Sequence, residues 1–280
     1  MSDRTLRVTV LGSGSRGNAV LVEGSIGSVV IDAGFGVRAM ARRFSQALRT
    51  PESVHDLLLT HEHVDHASGA AAASKRWNWT VHGTAATLAA LDTIPGGAPE
   101  RVASISATSG TSIAGFEVEH HAVPHDAADC RAFRLTDTRS GARVAIVLDC
   151  GDVPETLPAF LSHVDLLVME SNHDRAMLQQ GPYPWQLKKR ISGGRGHLSN
   201  DRAAALLATS AHHGLQGVLL AHLSETNNTP SHAIDTARDA LRRAGWRKDL
   251  LWACAQREPI ECVDALGRSG HARATQLALF

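Results

Sequence analysis

Apolar residues along this chain fall into short runs separated by glycine, proline and polar clusters, and the period of each run predicts its element. Leu6–Leu11, Ala19–Glu23 and Ser28–Ile31 are rich in β-branched and aliphatic residues and read as strands, the last two separated by Gly24 and Gly27. Val37–Leu48 has helical spacing, Pro51 opens a connection into a strand over Val54–Leu59, and the alanine-rich Ala67–Lys75 predicts a helix. A further helix over Thr84–Leu91 ends at the turn Ile94-Pro95-Gly96-Gly97. Four strands follow, at Val102–Ile105, Phe116–His121, Arg131–Thr136 and Arg143–Leu148. Strands and helices then alternate: a strand at Leu166–Met169, helices within Pro184–Ile191 and over Asp201–His212, a strand at Val218–Leu220 and a helix over Ser231–Ala244. Ser199 or Asn200 is expected to cap the second of these helices and Gly214 to end it. Leu251–Ala255 and Ile260–Val263 read as a closing strand pair. With no long linker and no repeat, the pattern predicts a single layered α/β domain over residues 1–280.

The run Leu57-Leu58-Leu59 leads straight into Thr60-His61-Glu62-His63-Val64-Asp65-His66, which places three imidazoles and two carboxylates in seven residues. Donors at that density are costly to bury without a cation. Imidazole nitrogen and carboxylate oxygen are ligands for Zn²⁺ and Mn²⁺, and no cysteine lies nearby to make a closed structural site, so a catalytic metal site is expected. Further donors stand where strands end. His125 follows Phe116–His121 and Pro124, Asp149 terminates Val144–Leu148, and His222 follows Val218–Ala221. With His61, His63, Asp65 and His66 they make seven donors, enough for two divalent ions sharing one bridging carboxylate.

Bulk composition adds exclusions. Lys+Arg and Asp+Glu both total 28, so no global field recruits polyanions, and nucleic acid would need a local basic patch. The sixteen histidines are the compositional oddity, and they cluster. Cys130, Cys150, Cys254 and Cys262 have no C-x-x-C spacing and read as reduced thiols. Met1–Arg7 contains no apolar signal region and no stretch approaches membrane-spanning length, so a cytoplasmic protein with no membrane partner is expected. Gly12-x-Gly14-x-x-Gly17, with Asp32 further on, matches a dinucleotide fingerprint on paper. That fingerprint needs a helix opening at the third glycine, and Ala19–Glu23 reads as a strand, so the glycines are expected to shape a tight turn or line a site.

His61-x-His63-x-Asp65-His66, with His125, Asp149 and His222 in order, resembles the metallo-β-lactamase fold superfamily. The resemblance implies a four-layer αββα sandwich with two metal ions, Zn or Mn, at one edge of paired sheets. It implies His61, His63 and His125 on one ion, Asp65, His66 and His222 on the other, and Asp149 bridging. Asp32 matches an early aspartate that braces the histidine loop from outside the ligand set. In the second half, Glu170-Ser-Asn172-His173-Asp174, Gly181–Arg190, Gly196-His197-Leu-Ser-Asn200 and His222-Leu-Ser-x-x-Asn227-Asn228-x-Pro230 are similar to the YycJ/WalJ group. That group is related to ribonuclease Z and to β-CASP nucleases, and with Gly12–Asn18 the resemblance spans nearly the whole chain. About 70 residues separate Asp149 from His222, too few for a full β-CASP cap domain, so the core must supply the substrate groove.

The implied activity is a metal-dependent phosphodiesterase, a DNA exonuclease of the WalJ type using a hydroxide that bridges two metal ions. Asp65, Glu170 and His197 are the implied catalytic residues, with Glu170 and His197 as an acid–histidine relay that protonates the leaving alkoxide. The alternative is a hydrolase of a small ester, thioester or lactone on the same fold, which has no evident use for that pair. Lys188, Lys189, Arg190 and Arg195 are candidates for substrate contact, because residues 182–202 carry five cations against Asp201, and Asn172 and His173 are expected to line the site. Tyr183 and Trp185 could stack on bases, His120 and His121 read as ordinary strand residues, and His212-His213 as a helix end suited to cationic imidazole.

Overall fold

The computed structural model describes residues 6–106, 110–254 and 259–264. Its strands form two seven-stranded sheets. In the first, β1 (Arg7–Gly12), β2 (Ala19–Glu23) and β3 (Ser28–Ile31) pair antiparallel, and β4 (Asp56–Leu58), β5 (Thr80–Gly83) and β6 (Val102–Ser104) continue in parallel. In the second, β7 (Thr111–Ile113), β8 (Phe116–Ala122), β9 (Arg131–Asp137) and β10 (Arg143–Val147) are antiparallel. β11 (Leu166–Glu170), β12 (Gly217–Ala221) and β13 (Leu251–Ala253) extend that sheet in parallel.

The strands read as nearly continuous apolar runs because both faces of each sheet are covered, and residue parity sorts the side chains. Val20, Val22, Ile31, Val144, Ile146, Val168 and Leu219 point into one cluster between the sheets, with Phe116 and Phe133. Their neighbours Leu21, Val30 and Leu57 face outward onto Met40 and Phe44 of α1 (Val37–Gln46) and onto Ala70, Ala73 and Trp77 of α3 (Ala70–Trp77). On the far side Ala145, Val147, Leu167, Met169, Val218 and Leu220 pack on α8 (Asn200–Ser210) and α9 (Pro230–Arg243). The layers are therefore αββα, as expected. The remaining helices are α2 (Val64–Ala67), α4 (Ala85–Ala90), α5 (Leu157–Phe160), α6 (Arg175–Gln180) and α7 (Trp185–Ser192).

Three expectations are corrected. Leu251–Ala253 and the last strand, β14 (Ile260–Asp264), do not pair with each other: β13 joins β12, and β14 crosses to the other sheet beside β1. Ala255, assigned to the first of these strands from sequence, and the side chain of Cys262 lie outside what is described. Gly214 does not end α8, which stops at Ser210 with Ala211 extended at its end, while Ser199 caps its start. His212 consequently lies beyond the helix. Its Nδ1 accepts the Gly214 N–H (3.1 Å), and burial lowers its pKa, so it is not the cationic helix-end residue expected.

The alanine-rich helix begins in two pieces. Between α2 and α3, a Cβ at Gly69 would collide with the carbonyl oxygen of Phe35, so only glycine lets the histidine loop close against β3. β5, β7, α5 and α6 have at most six residues each and too little periodicity to be read beforehand.

Candidate metal centre

Every donor singled out from sequence stands at or just beyond the C-terminal end of a strand, on one edge of the sandwich. Asp32 follows β3, the histidine loop follows β4, His125 follows β8, Asp149 follows β10, Glu170 ends β11 and His222 follows β12. Asp32 (φ 63°), Asp149 (φ 52°) and His222 (φ 51°) adopt the left-handed conformation, which costs a non-glycine residue about 1–2 kcal/mol. That turn swings each side chain off its strand axis toward the others, and such strain persists only where surrounding contacts over-determine it.

The side chains converge in three groups whose donor atoms lie within 4.8 Å of one another: His61, His63, His125 and Asp149; Asp65, His66, Asp149 and His222; and Asp149, Glu170, His197 and His222. Asp149 belongs to all three. Its Oδ2 lies 3.7 Å from His61 Nε2 and 3.4 Å from His125 Nε2, while its Oδ1 lies 3.3 Å from His66 Nε2 and 3.4 Å from His222 Nε2. Asp65 Oδ2 is 3.1 Å from His222 Nε2 and 3.4 Å from His66 Nε2.

Most of the imidazoles are held from behind by the nitrogen that faces away from the cluster. His66 Nδ1 donates to Asp32 Oδ2 (2.6 Å), His61 Nδ1 meets Thr60 Oγ1 (3.0 Å) and His125 Nδ1 donates to the Gly196 carbonyl (2.9 Å). His63 is reversed: its Nε2 reaches the Asp126 carbonyl (3.2 Å) and its Nδ1 faces His125 Nε2 at 3.2 Å. Asp32 is fully buried and also accepts from the Thr60 N–H (2.8 Å) and hydroxyl, which fixes the loop that carries three of the histidines. This is how outer partners set the tautomer and aim of metal ligands.

Two atoms at the centre are unsatisfied. His61 Nε2 and Asp149 Oδ1 are buried and make no hydrogen bond among the described residues. Such orphans are rare in native proteins and costly. A divalent cation would satisfy both, and the all-nitrogen-and-oxygen donor set suits one, so the residues fit the metal.

Electrostatics point the same way. Burial, reinforced by the neighbouring His66, keeps His61 well below its ordinary pKa and therefore neutral, as a ligand must be. Burial opposes charge at His66 too, but Asp149, Asp32 and Asp65 outweigh it and raise the imidazole well above its usual value. A proton there marks where the surrounding carboxylates demand positive charge.

Glu170 and His197 stand beside the cluster. Glu170 is fully buried; its Oε2 accepts the N–H groups of Cys150 (2.9 Å) and Leu198 (3.0 Å), and its Oε1 accepts His197 Nδ1–H at 2.6 Å. Burial would depress His197, yet Glu170 and Asp149 carry its pKa up to about 9. The His197 ring stacks on His222 with centroids 5.1 Å apart.

Residues 28–222 match the model of the Beta-lactamase superfamily domain. The chain belongs to the β-lactamase superfamily. Within it the chain is 31% identical over 242 residues to Exodeoxyribonuclease YycJ of Bacillus anthracis, covering 86% of this chain and 91% of the relative. It is 28% identical over 248 residues to Exodeoxyribonuclease WalJ of Streptococcus pneumoniae, covering 87% and 91%. Among solved structures it is similar in fold to the metallo-β-lactamase fold protein YhfI from Bacillus subtilis, with TM-score 0.64, 16% identity, and coverage of 92% of this chain and 100% of that one.

In this superfamily member the glycine loop after β1 is part of the centre, and sequence reasoning left its role open. Asn18 is fully buried; its Nδ2 lies 3.1 Å from His66 Nε2 and donates to the Asp65 carbonyl (3.3 Å). Ser13 Oγ donates to Asn18 Oδ1 (2.8 Å) and accepts the His222 N–H (2.7 Å), tying the loop of one sheet to the strand end of the other. The advance signals were the resemblance over Gly12–Asn18 and a serine and an asparagine inside a glycine-rich turn that opens no helix, neither of which assigned Ser13 or Asn18 a role.

The other candidates separate. Asn172 faces the cluster and donates to the His222 carbonyl (3.0 Å). Arg190 spends its charge on Asp126 (2.6 Å), whereas Arg195 directs its Nε and Nη2 to the His125 carbonyl, bracing the backbone of a metal-site histidine. His173, Lys188, Lys189 and Trp185 line a second cleft on the other side of α7. Tyr183 lines the metal-centre cleft, and His120 and His121 lie within β8. Among the described residues no helix is long and apolar enough to cross a membrane.

Proposed function

We propose that this chain is a metal-dependent nuclease that hydrolyses DNA phosphodiesters from a strand end. The observation that carries the reading is the Glu170–His197 pair set against the ligand cluster, with His197 on the wall of the cleft. His61, His63 and His125 would hold one divalent cation, Zn²⁺ or Mn²⁺, and Asp65, His66 and His222 a second, with Asp149 facing both. When bound, such a pair lowers the pKa of water and neutralises charge growing on phosphate oxygens.

The chain's own residues supply the remainder. Water oxygen bonds to phosphorus, the bond from phosphorus to the leaving oxygen breaks, and that oxygen needs a proton. Glu170 fixes His197 by Nδ1, so Nε2 is the nitrogen from which the proton passes. Glu170 positions and charges the imidazole without touching substrate. Asn172 holds the His222 backbone, and Asn18 and Asp32 hold the histidine loop. The names of the two bacterial relatives support DNA as the substrate and an exonucleolytic mode. The buried thiols of Cys130 and Cys150 are in keeping with a cytoplasmic setting.

The test is to load the protein with Mn²⁺ or Zn²⁺ and offer 5′-phosphorylated duplex DNA, single-stranded DNA, RNA and a thioester. DNA shortened from an end is the expected result, abolished together with metal content by Asp149→Ala. Turnover of the thioester alone would reject the nuclease reading.

A further inference from the structure

The second cleft, about 620 Å³, lies across α7 from the metal centre, and His197 lines both. Its lining includes four cations, Arg175, Lys188, Lys189 and Arg202, and no acid. Arg202 pairs with Asp152, and Arg175 meets Asp201 in an exposed contact of 3.5 Å. Lys188 donates to the Gln179 carbonyl (2.7 Å), which leaves its charge unneutralised, and Lys189 is exposed with no ion-pair partner among the described residues. Beside them the Trp185 indole is 69% exposed. Cations next to an exposed aromatic ring are the combination that tracks a single strand, phosphates on the charges and an unpaired base on the ring.

A second observation lies deeper. His173 also lines this cleft; it is only 2% exposed, and its Nδ1 makes no hydrogen bond among the described residues. A buried polar nitrogen left alone is costly, and a ligand group in the cleft would satisfy it.

The position of His197 orients the strand. The leaving oxygen is the one nearest His197, so the chain attached to it continues past His197, away from the ligand cluster. The cleft at the cluster is about 270 Å³, at the lower end of small-molecule pockets and suited to about one nucleotide. We propose that the second cleft binds the leaving-group side of the DNA strand, with phosphates on Lys188 and Lys189, a base on Trp185 and a polar atom of the strand on His173. The released nucleotide then occupies the metal-centre cleft. This rests on the nuclease reading above.

The experiment compares the ratio of kcat/KM for a single-stranded 12-mer to that for bis(p-nitrophenyl) phosphate, which is too short to span both clefts. Lys189→Glu combined with Trp185→Ala is expected to lower that ratio about tenfold through KM for DNA, and Lys189→Gln alone about threefold with a shallower salt dependence. Lys75→Glu, the same charge change on exposed α3, should leave the ratio as in wild type. Wild-type cleavage of DNA with an unchanged ratio in the cleft variants overturns the cleft assignment alone. An equal fall in Lys75→Glu also overturns it, since bulk charge would then explain the loss. A wild-type protein that hydrolyses the nitrophenyl diester but no DNA sinks the nuclease reading, and the cleft assignment with it.

Discussion

Replacing Glu170 with glutamine tests the relay at nearly constant shape. The buried carboxylate accepts from three donors, two backbone N–H groups on Oε2 and His197 Nδ1 on Oε1. An amide has only one oxygen. Kept against the Cys150 and Leu198 N–H groups, that oxygen leaves the NH₂ facing His197 Nδ1, which must then be bare, so the ring is held as neutral imidazole with no adjacent carboxylate to charge it. The fold retains two of three contacts, so stability should fall by only about 1–2 kcal/mol. Catalysis loses the oriented, charged proton donor, a contribution of about 10²–10⁴-fold, or about 3–5 kcal/mol in barrier. The assay is kcat on 5′-phosphorylated DNA beside kcat on bis(p-nitrophenyl) phosphate, whose nitrophenolate departs without a proton. The loss on DNA should exceed the loss on the nitrophenyl diester by at least tenfold, with metal content per chain close to wild type. Equal losses on both substrates would refute the proton-donor role. A drop in metal content would instead make Glu170 a ligand of the third donor group.

Two further outcomes follow from the framework around the centre. Gly34→Ala puts a methyl group into the Asp65 carbonyl oxygen, so it should displace the Asp65–His66 segment, costing about 1–3 kcal/mol in urea unfolding and lowering metal content. Asp137 joins the turn after β2 to the turn after β9 by accepting from Ser25 N–H (2.6 Å) and Ser140 N–H (2.7 Å). Burial opposes its charge, but the backbone and hydroxyl donors of Ser140 and Ser25 hold its pKa below the ordinary 3.8. Its contribution is therefore present above pH 3.8 and lost as pH falls through the lower folded value, so Tm of Asp137→Asn should fall less steeply than that of wild type as pH drops through this range. Parallel Tm–pH curves would remove Asp137 from the account.

How far the sequence could be read depended on whether a residue's signal was local. Strands buried on both faces announce themselves as apolar runs, which is why β1–β3, β8–β12 and a layered α/β domain were legible, while the αββα order of the layers came from the resemblance of the histidine motif. Their parity, which decides whether Val30 or Ile31 meets a helix or the other sheet, is invisible in an unbroken apolar run. Short β5, β7, α5 and α6 carry too few residues for any period. The last two strands were misread as partners because adjacency in sequence is the only local cue, whereas the open edges of two different sheets claimed them.

At the centre the sequence by itself determined the donor chemistry: seven imidazoles and carboxylates at strand ends can be buried together only if a cation satisfies them. The pairing of Glu170 with His197 came instead from the family resemblance of the motifs around them. Only the tertiary structure decided what surrounds them. Asn18 and Ser13 join the site through contacts spanning 47 to 209 residues, Arg190 spends its charge on Asp126, and Arg195 is turned onto the His125 carbonyl. Lys188, Lys189 and Trp185 line a second cleft because they lie on the face of α7 opposite Leu187, Arg190 and Ile191, which line the metal-centre cleft. Ligand identity is a property of side-chain chemistry and survives in one dimension. Which charges remain free, and on which side of His197 they lie, depends on how the chain packs.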